Sequence, residues 1–205
     1  MSIWHSIRIW FAIVPAFLVV HLSATALFGA TGHGVAQMWE FSPIQATWLQ
    51  AAFVLGYIVR IPVGPFAARI ASHKIVIMGG ILVCAVANAL FYLYANDFMS
   101  AFILRLVSGA AVGAMVYPAL QLVTGNDRAG GGIALGFVLL LGWSLSVYVA
   151  GEVSAINIGQ AKDVLPWASF LSLGGGWNTI YVLAALAPII WWVPAFFLLP
   201  KQRKD

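Results

Sequence analysis

The side chain best equipped for chemistry is Arg60, set in the stretch "GYIVRIPVG" among apolar neighbours. A guanidinium is permanently charged and carries a planar fork of N–H donors, so it is suited to gripping an oxyanion through paired hydrogen bonds. A partner is required, because a charge inside hydrocarbon costs about 2.5–3.5 kcal/mol on insertion scales. No carboxylate supplies one nearby: Glu40, Asp97, Asp127, Glu152 and Asp163 all fall at the ends of apolar runs or between them. An anionic substrate would fill that role. The alternative is that Arg60 donates to backbone carbonyls freed by Pro62, or to a hydroxyl or histidine, and only braces the fold. Arg105 is the second such cation, expected to pair with Glu152 or to contribute to the same anion site. His21, with Ser23 and Thr25 close in sequence, can relay a proton or hydrogen-bond between helices. Tyr57, Tyr117 and Trp143 are the aromatic candidates for lining a cavity.

Other chemistries lack their residues. There is no phosphate-cradling Gly-x-x-x-x-Gly-Lys loop, no His-Glu-x-x-His helix and no carboxylate pair inside an apolar run. The single cysteine, Cys84, excludes an internal disulfide and a thiolate cluster within the chain. Haem held between helices needs paired histidines, and only His21 lies within a run. An enzyme, a metal and a cofactor are therefore not expected.

The elements that must position these residues follow from composition. The chain is 62% hydrophobic and 8% charged, with a mean hydropathy of +0.97. Roughly a quarter of a soluble domain is charged, so this chain cannot cover itself with polar surface. Crossing about 30 Å of hydrocarbon takes ~20 residues as a helix. Runs of that length lie near 8–30, 46–69, 75–95, 98–123, 132–152 and 178–199, with no strand-like alternation in them. The expectation is an all-α polytopic membrane protein: residues 1–205 form a single domain of six transmembrane helices. The separators are short, apart from residues 153–177, where "LPWASFLSL" reads as a surface-lying helix or a loop. Arg8, the apolar run after it and "SATA" also fit a signal peptide, but the run is long enough to cross the membrane and is read as the first span.

Charge sets the orientation. With six spans, Arg8, Arg69, Lys74, Arg128, Lys201, Arg203 and Lys204 share one face, and Lys162 alone lies on the other. By the positive-inside rule both termini are cytoplasmic. Arg60 then sits about nine residues from the cytoplasmic end of its span, roughly 13 Å deep. The net charge of +4 does not point to nucleic acid, since no basic run interleaved with aromatics occurs outside the C-terminal "KQRKD". Trp4, Trp10, Trp191 and Trp192, near span ends, are expected to anchor at the membrane interface.

"GPFAARIASHK", Gly64 to Lys74, resembles the loop between the second and third helices of the major facilitator superfamily, Gly-x-x-x-Asp-Arg-x-Gly followed by basic residues. Gly64, Arg69, His73 and Lys74 match it and would form a gating loop, whereas Ala68 replaces the aspartate, Ala71 the second glycine and Ser72 a basic position. "RLVSGAAVG", Arg105 to Gly113, is similar to the superfamily's Arg-x-x-x-Gly-x-x-x-Gly fourth helix. The fifth run lacks the Gly-Pro pair of drug–proton antiporters. "RIPVG", Arg60 to Gly64, looks like the second helix of the nitrate/nitrite porters, in which an arginine holds the planar anion. The glycine-rich signature of those porters has at most a remnant in "AGGGIALG".

The resemblance implies half of a twelve-helix fold, with substrate bound between two halves. The expected function is secondary transport of a small anion, nitrate- or nitrite-like, in the bacterial inner membrane, by a homodimer or with a second half-length chain. Arg60, Tyr57, Arg105, Tyr117, His21 and Trp143 are the expected substrate-binding residues, and membrane lipid is an expected partner. The rival expectation is a non-transporting accessory or assembly subunit of a larger respiratory or photosynthetic complex.

Overall fold

The computed structural model of the protein describes residues 3–31, 42–95, 97–124, 128–155 and 176–200. Regular structure among them is entirely helical: α1 Ile3–Thr31, α2 Pro43–Arg60, a 3₁₀ turn Ile61–Val63, α3 Gly64–Ile70, α4 His73–Tyr94, α5 Phe98–Thr124, α6 Arg128–Ala155 and α7 Gly176–Leu198. Helices are what an apolar chain must form in lipid, where each backbone N–H and C=O has to be satisfied within its own segment. Polar residues mark where they begin. Ser42 Oγ accepts from Gln45 N at 3.3 Å while Gln45 Oε1 accepts from Ser42 N at 2.9 Å, a reciprocal cap reinforced by Pro43 in the first turn. Ser72 caps α4, and Asp97 caps α5 by accepting from Ser100 N at 2.9 Å.

Five helical stretches are long and apolar enough to cross a membrane: Ser6–Ala24, Thr47–Ala67, His73–Tyr94, Phe98–Thr124 and Gly130–Tyr148. The expected sixth span coincides with α7, but its described apolar stretch, Val182–Leu198, is shorter. The architecture is that of an all-helical, polytopic membrane protein. Residues 153–155 continue α6. The rest of the expected surface segment, up to 175, lies outside the described residues.

The second span is not one regular helix. Pro62 has no N–H to give Ile58 O, and Ile61 N–H takes that carbonyl one residue early. Pro65 likewise leaves Ile61 O, which Gly64 N–H takes. Two prolines three residues apart thus impose the 3₁₀ turn between α2 and α3.

The helices pack in a scheme that maps onto itself when α1, the second span and α4 are exchanged with α5, α6 and α7. The second span lies along α5 as α6 lies along α1; α4 packs on α5 as α7 packs on α1; α4 and α7 meet each other. At the centre α1 buries Ile9, Ile13, Phe17 and Val20. The two ends of the described chain meet at one end of the bundle, where Arg8 donates to Phe197 O at 3.2 Å.

Candidate functional site

The seam between α2 and α5 is built on glycine. A side chain at Gly109 would strike the Phe53 carbonyl, one at Gly113 the Tyr57 carbonyl, and one at Gly56 the Leu106 carbonyl. Backbone approach this close requires residues without a Cβ, as the four-residue spacing of small residues anticipates. Its consequence is register: Phe53 and Tyr57 are held by the α5 backbone and aimed toward α1 and α6.

There they meet His21 and Trp143. The His21 ring lies 6.4 Å from Tyr57, 6.2 Å from Trp143 in an edge-on arrangement and 6.0 Å from Phe17, while Phe53 is 6.3 Å from Trp143. Centroid separations of this size are those of interacting aromatic pairs. His21 is buried and its Nδ1 lies 2.6 Å from Phe17 O, so Nδ1 carries a proton and Nε2 is the acceptor whenever the ring is neutral. Gly142 leaves the room, since a Cβ there would come within 3.2 Å of Nδ1. Tyr57 and Trp143 are half-buried and close over the histidine. Three of the expected binding residues, contributed by α1, α2 and α6, therefore form one cluster.

Arg60 stands one turn beyond Tyr57 and is exposed. Spacing of three places it on Tyr57's side of the helix. The carbonyl at Ile58 that might have received it is taken by Ile61 N–H, and among the described residues nothing hydrogen-bonds or ion-pairs with Arg60. Bracing through that proline-freed carbonyl is not what the structure contains.

Arg105 has a different setting. It is 1% exposed, donates from Nη1 to Ser23 O and from Nη2 to Ala24 O at 3.0 Å, and lies 5.1 Å over the Phe53 ring. It thus ties α5 to α1 behind the ring cluster. The side chain of Glu152, its expected partner, lies outside the described residues. Beside it is a polar group that sequence reading overlooked. Asn88 Nδ2 donates to Ser23 Oγ at 2.7 Å and to Cys84 O at 2.7 Å, and Ser23 Oγ is 3.0 Å from Cys84 Sγ. The available signal was a lone asparagine within the apolar run of α4.

Tyr117 is not brought to the cluster. It stacks on His73 at 6.4 Å, over Gly64, whose missing Cβ would lie 2.9 Å from Tyr117 Cβ. Of the four residues expected to form a gating loop, Gly64 and His73 gather around Tyr117. Arg69 is exposed, with its guanidinium 5.7 Å over Phe66. Lys74 turns away to α7, where its ammonium donates to Phe196 O and to Leu199 O at 3.0 Å. A cation on the last carbonyls of a helix complements the macrodipole, so Lys74 caps the end of α7. Trp191 and Trp192 are half-buried and donate inward, to Ala12 O and Met78 O, both at 3.1 Å. They join helices through these bonds. Trp4 remains exposed near the start of α1.

A helical membrane bundle with an aromatic–histidine cluster and, on one side, an exposed arginine with no polar partner among the described residues is the class of protein that fold and site define. In sequence the chain is 25% identical, over 204 residues, to the 4-hydroxybenzoate transporter PcaK of Acinetobacter baylyi. That similarity takes in 95% of this chain and 40% of the transporter, so the chain spans well under half of the relative's length. The relative is a transporter, in keeping with the expectation that no enzyme is present. No protein-family model matches the sequence, and no solved structure matches it.

Proposed function

We propose that this chain is one half of a secondary transporter for small planar anions in the bacterial inner membrane, completed by a second copy or by another half-length chain. The observation that carries the reading is the juxtaposition of Arg60, exposed and unengaged, with the Tyr57–His21–Trp143 cluster one helical turn away. The guanidinium grips the oxyanion through paired N–H donors, and the rings offer flat apolar surface to the rest of the substrate. His21 Nε2 and the Tyr57 hydroxyl are the groups able to meet a polar substituent or exchange a proton. The exchangeable packing of the two three-pass repeats supports the reading, because nested repeats of this kind build the halves of major facilitator transporters. A second copy would bring a second Arg60, and an anion between the two would offset their repulsion.

Two anions fit the guanidinium. The second-helix resemblance favours nitrate or nitrite, whereas the ring cluster and the similarity to a 4-hydroxybenzoate transporter favour an aromatic carboxylate. We choose the carboxylate, since nitrate has no use for an aromatic shelf. Proteoliposomes carrying the purified chain should take up 4-hydroxybenzoate. Arg60→Lys, which keeps the charge and loses the fork, should lower uptake about tenfold or more. Uptake of every tested carboxylate and oxyanion unchanged by Arg60→Ala would refute the anion role. Isolation only in a stoichiometric complex with unrelated membrane subunits, without uptake, would instead establish the accessory-subunit reading.

A further inference from the structure

A groove of about 530 Å³ opens between α4 and α7, on helices that do not contribute to the ring cluster. Its floor is Met78 and Trp192, locked together by the indole hydrogen bond to Met78 O. Leu82 and Phe196 line it and are exposed on the outside of the bundle. Gly79 keeps it open: a Cβ built there meets nothing within 4 Å. One end differs in chemistry. Ser72 and Lys74 lie there, with the Lys74 ammonium on the last carbonyls of α7, so that a hydroxyl and a cation stand at the mouth of an otherwise apolar channel.

We propose that this groove is a binding site for one anionic phospholipid, its phosphate at Ser72 and Lys74 and an acyl chain along Gly79 and Leu82. The gradient from basic mouth to apolar floor complements a lipid with a negative headgroup. Basic pockets between membrane helices near one surface bind such headgroups. Ser72 Oγ accepts the α4 capping bond from Ile75 N, which leaves its O–H proton to donate to a phosphate oxygen. The Lys74 ammonium, 4.3 Å over the Phe196 ring, puts positive charge beside the groove's apolar lining. A neighbouring apolar helix would fill the floor but bring no charge to the mouth.

Gly79→Leu tests the site without disturbing the Lys74 cap, because it fills open space on an exposed helix face. Val86→Phe, also exposed and two turns further along α4, adds bulk beyond the groove and serves as the control. The delipidated full chain is titrated in detergent with phosphatidylglycerol, with phosphatidylcholine, or with inorganic phosphate, and bound species are counted by native mass spectrometry. The wild type and Val86→Phe should hold one phosphatidylglycerol about tenfold more tightly than Gly79→Leu does, and phosphatidylcholine weakly. Equal retention by Gly79→Leu would overturn the site. So would equal affinity for phosphatidylcholine, or binding of inorganic phosphate as tight as that of the lipid.

Discussion

Gly113→Ala and Gly136→Ala are the same chemical change, and they should act in opposite directions. In a helix interior alanine is favoured over glycine by about 1 kcal/mol. At Gly136 that gain stands alone, because a Cβ there has nothing within 4 Å, and the variant should be more stable by roughly 0.5–1 kcal/mol. At Gly113 the new methyl lands on the Tyr57 carbonyl oxygen, with the Tyr57 carbonyl carbon and Cα each 3.0 Å away. All three are backbone atoms, so no rotamer change relieves the clash and α2 must move off α5. Overpacking of this kind costs about 1–3 kcal/mol, which leaves a net loss of up to roughly 2 kcal/mol after the alanine gain. The displacement also draws Tyr57 away from His21 and Trp143, so anion affinity should fall with stability. Denaturant titration of detergent-solubilised protein, followed by tryptophan fluorescence, measures the first effect, and ligand-induced quenching the second. A Gly113→Ala variant as stable as Gly136→Ala would refute the close seam and the register built on it.

Arg105→Lys should lower stability by about 1.5–3 kcal/mol, because one ammonium cannot span the Ser23 and Ala24 carbonyls as the fork does; the same titration detects it, and unchanged stability would remove Arg105 as a brace. The capping bonds from Ser100 hold the Asp97 carboxyl below its ordinary range. Its contribution should be intact above the ordinary carboxylate pKa and lost as pH falls through the lowered folded value, so Asp97→Ala should flatten the acid limb of a pH–stability profile. A fluorescent reporter fused after Asp205 should light in the cytoplasm, and a phosphatase fused there should be inactive; an active phosphatase would reverse the orientation.

Much of the bundle was legible in the sequence because length and hydropathy decide membrane crossing. The run near 98–123 is α5, Phe98–Thr124, and the run near 75–95 is α4, with Ser72 and Asp97 as polar starts. The four-residue spacing of Gly109 and Gly113 announced a close seam, and α2 lies in it. The run 46–69 reads as one span with a carbonyl freed by Pro62, and the 3₁₀ turn after Arg60 is where that carbonyl is taken up. These are local properties, set by backbone chemistry and by the thickness of hydrocarbon.

Facing is another matter. In water an apolar face points inward, but here lipid and core are equally apolar, and hydropathy does not distinguish them. Only packing decided that Lys74 leaves its loop to cap α7, that Arg105 turns to the carbonyls of α1, and that Trp191 and Trp192 donate inward. The same holds for the site. His21, Tyr57 and Trp143 come together because α1 and α6 run side by side and α5 holds α2 in register, while Tyr117, on the same α5, is carried to the opposite company of Gly64 and His73. The sequence by itself determined which segments are long and apolar enough to cross a membrane and which polar residues separate them. Which of their faces meet was decided by the tertiary structure, through backbone contact at glycine and hydrogen bonds made across helices, neither of which is a property of any one segment.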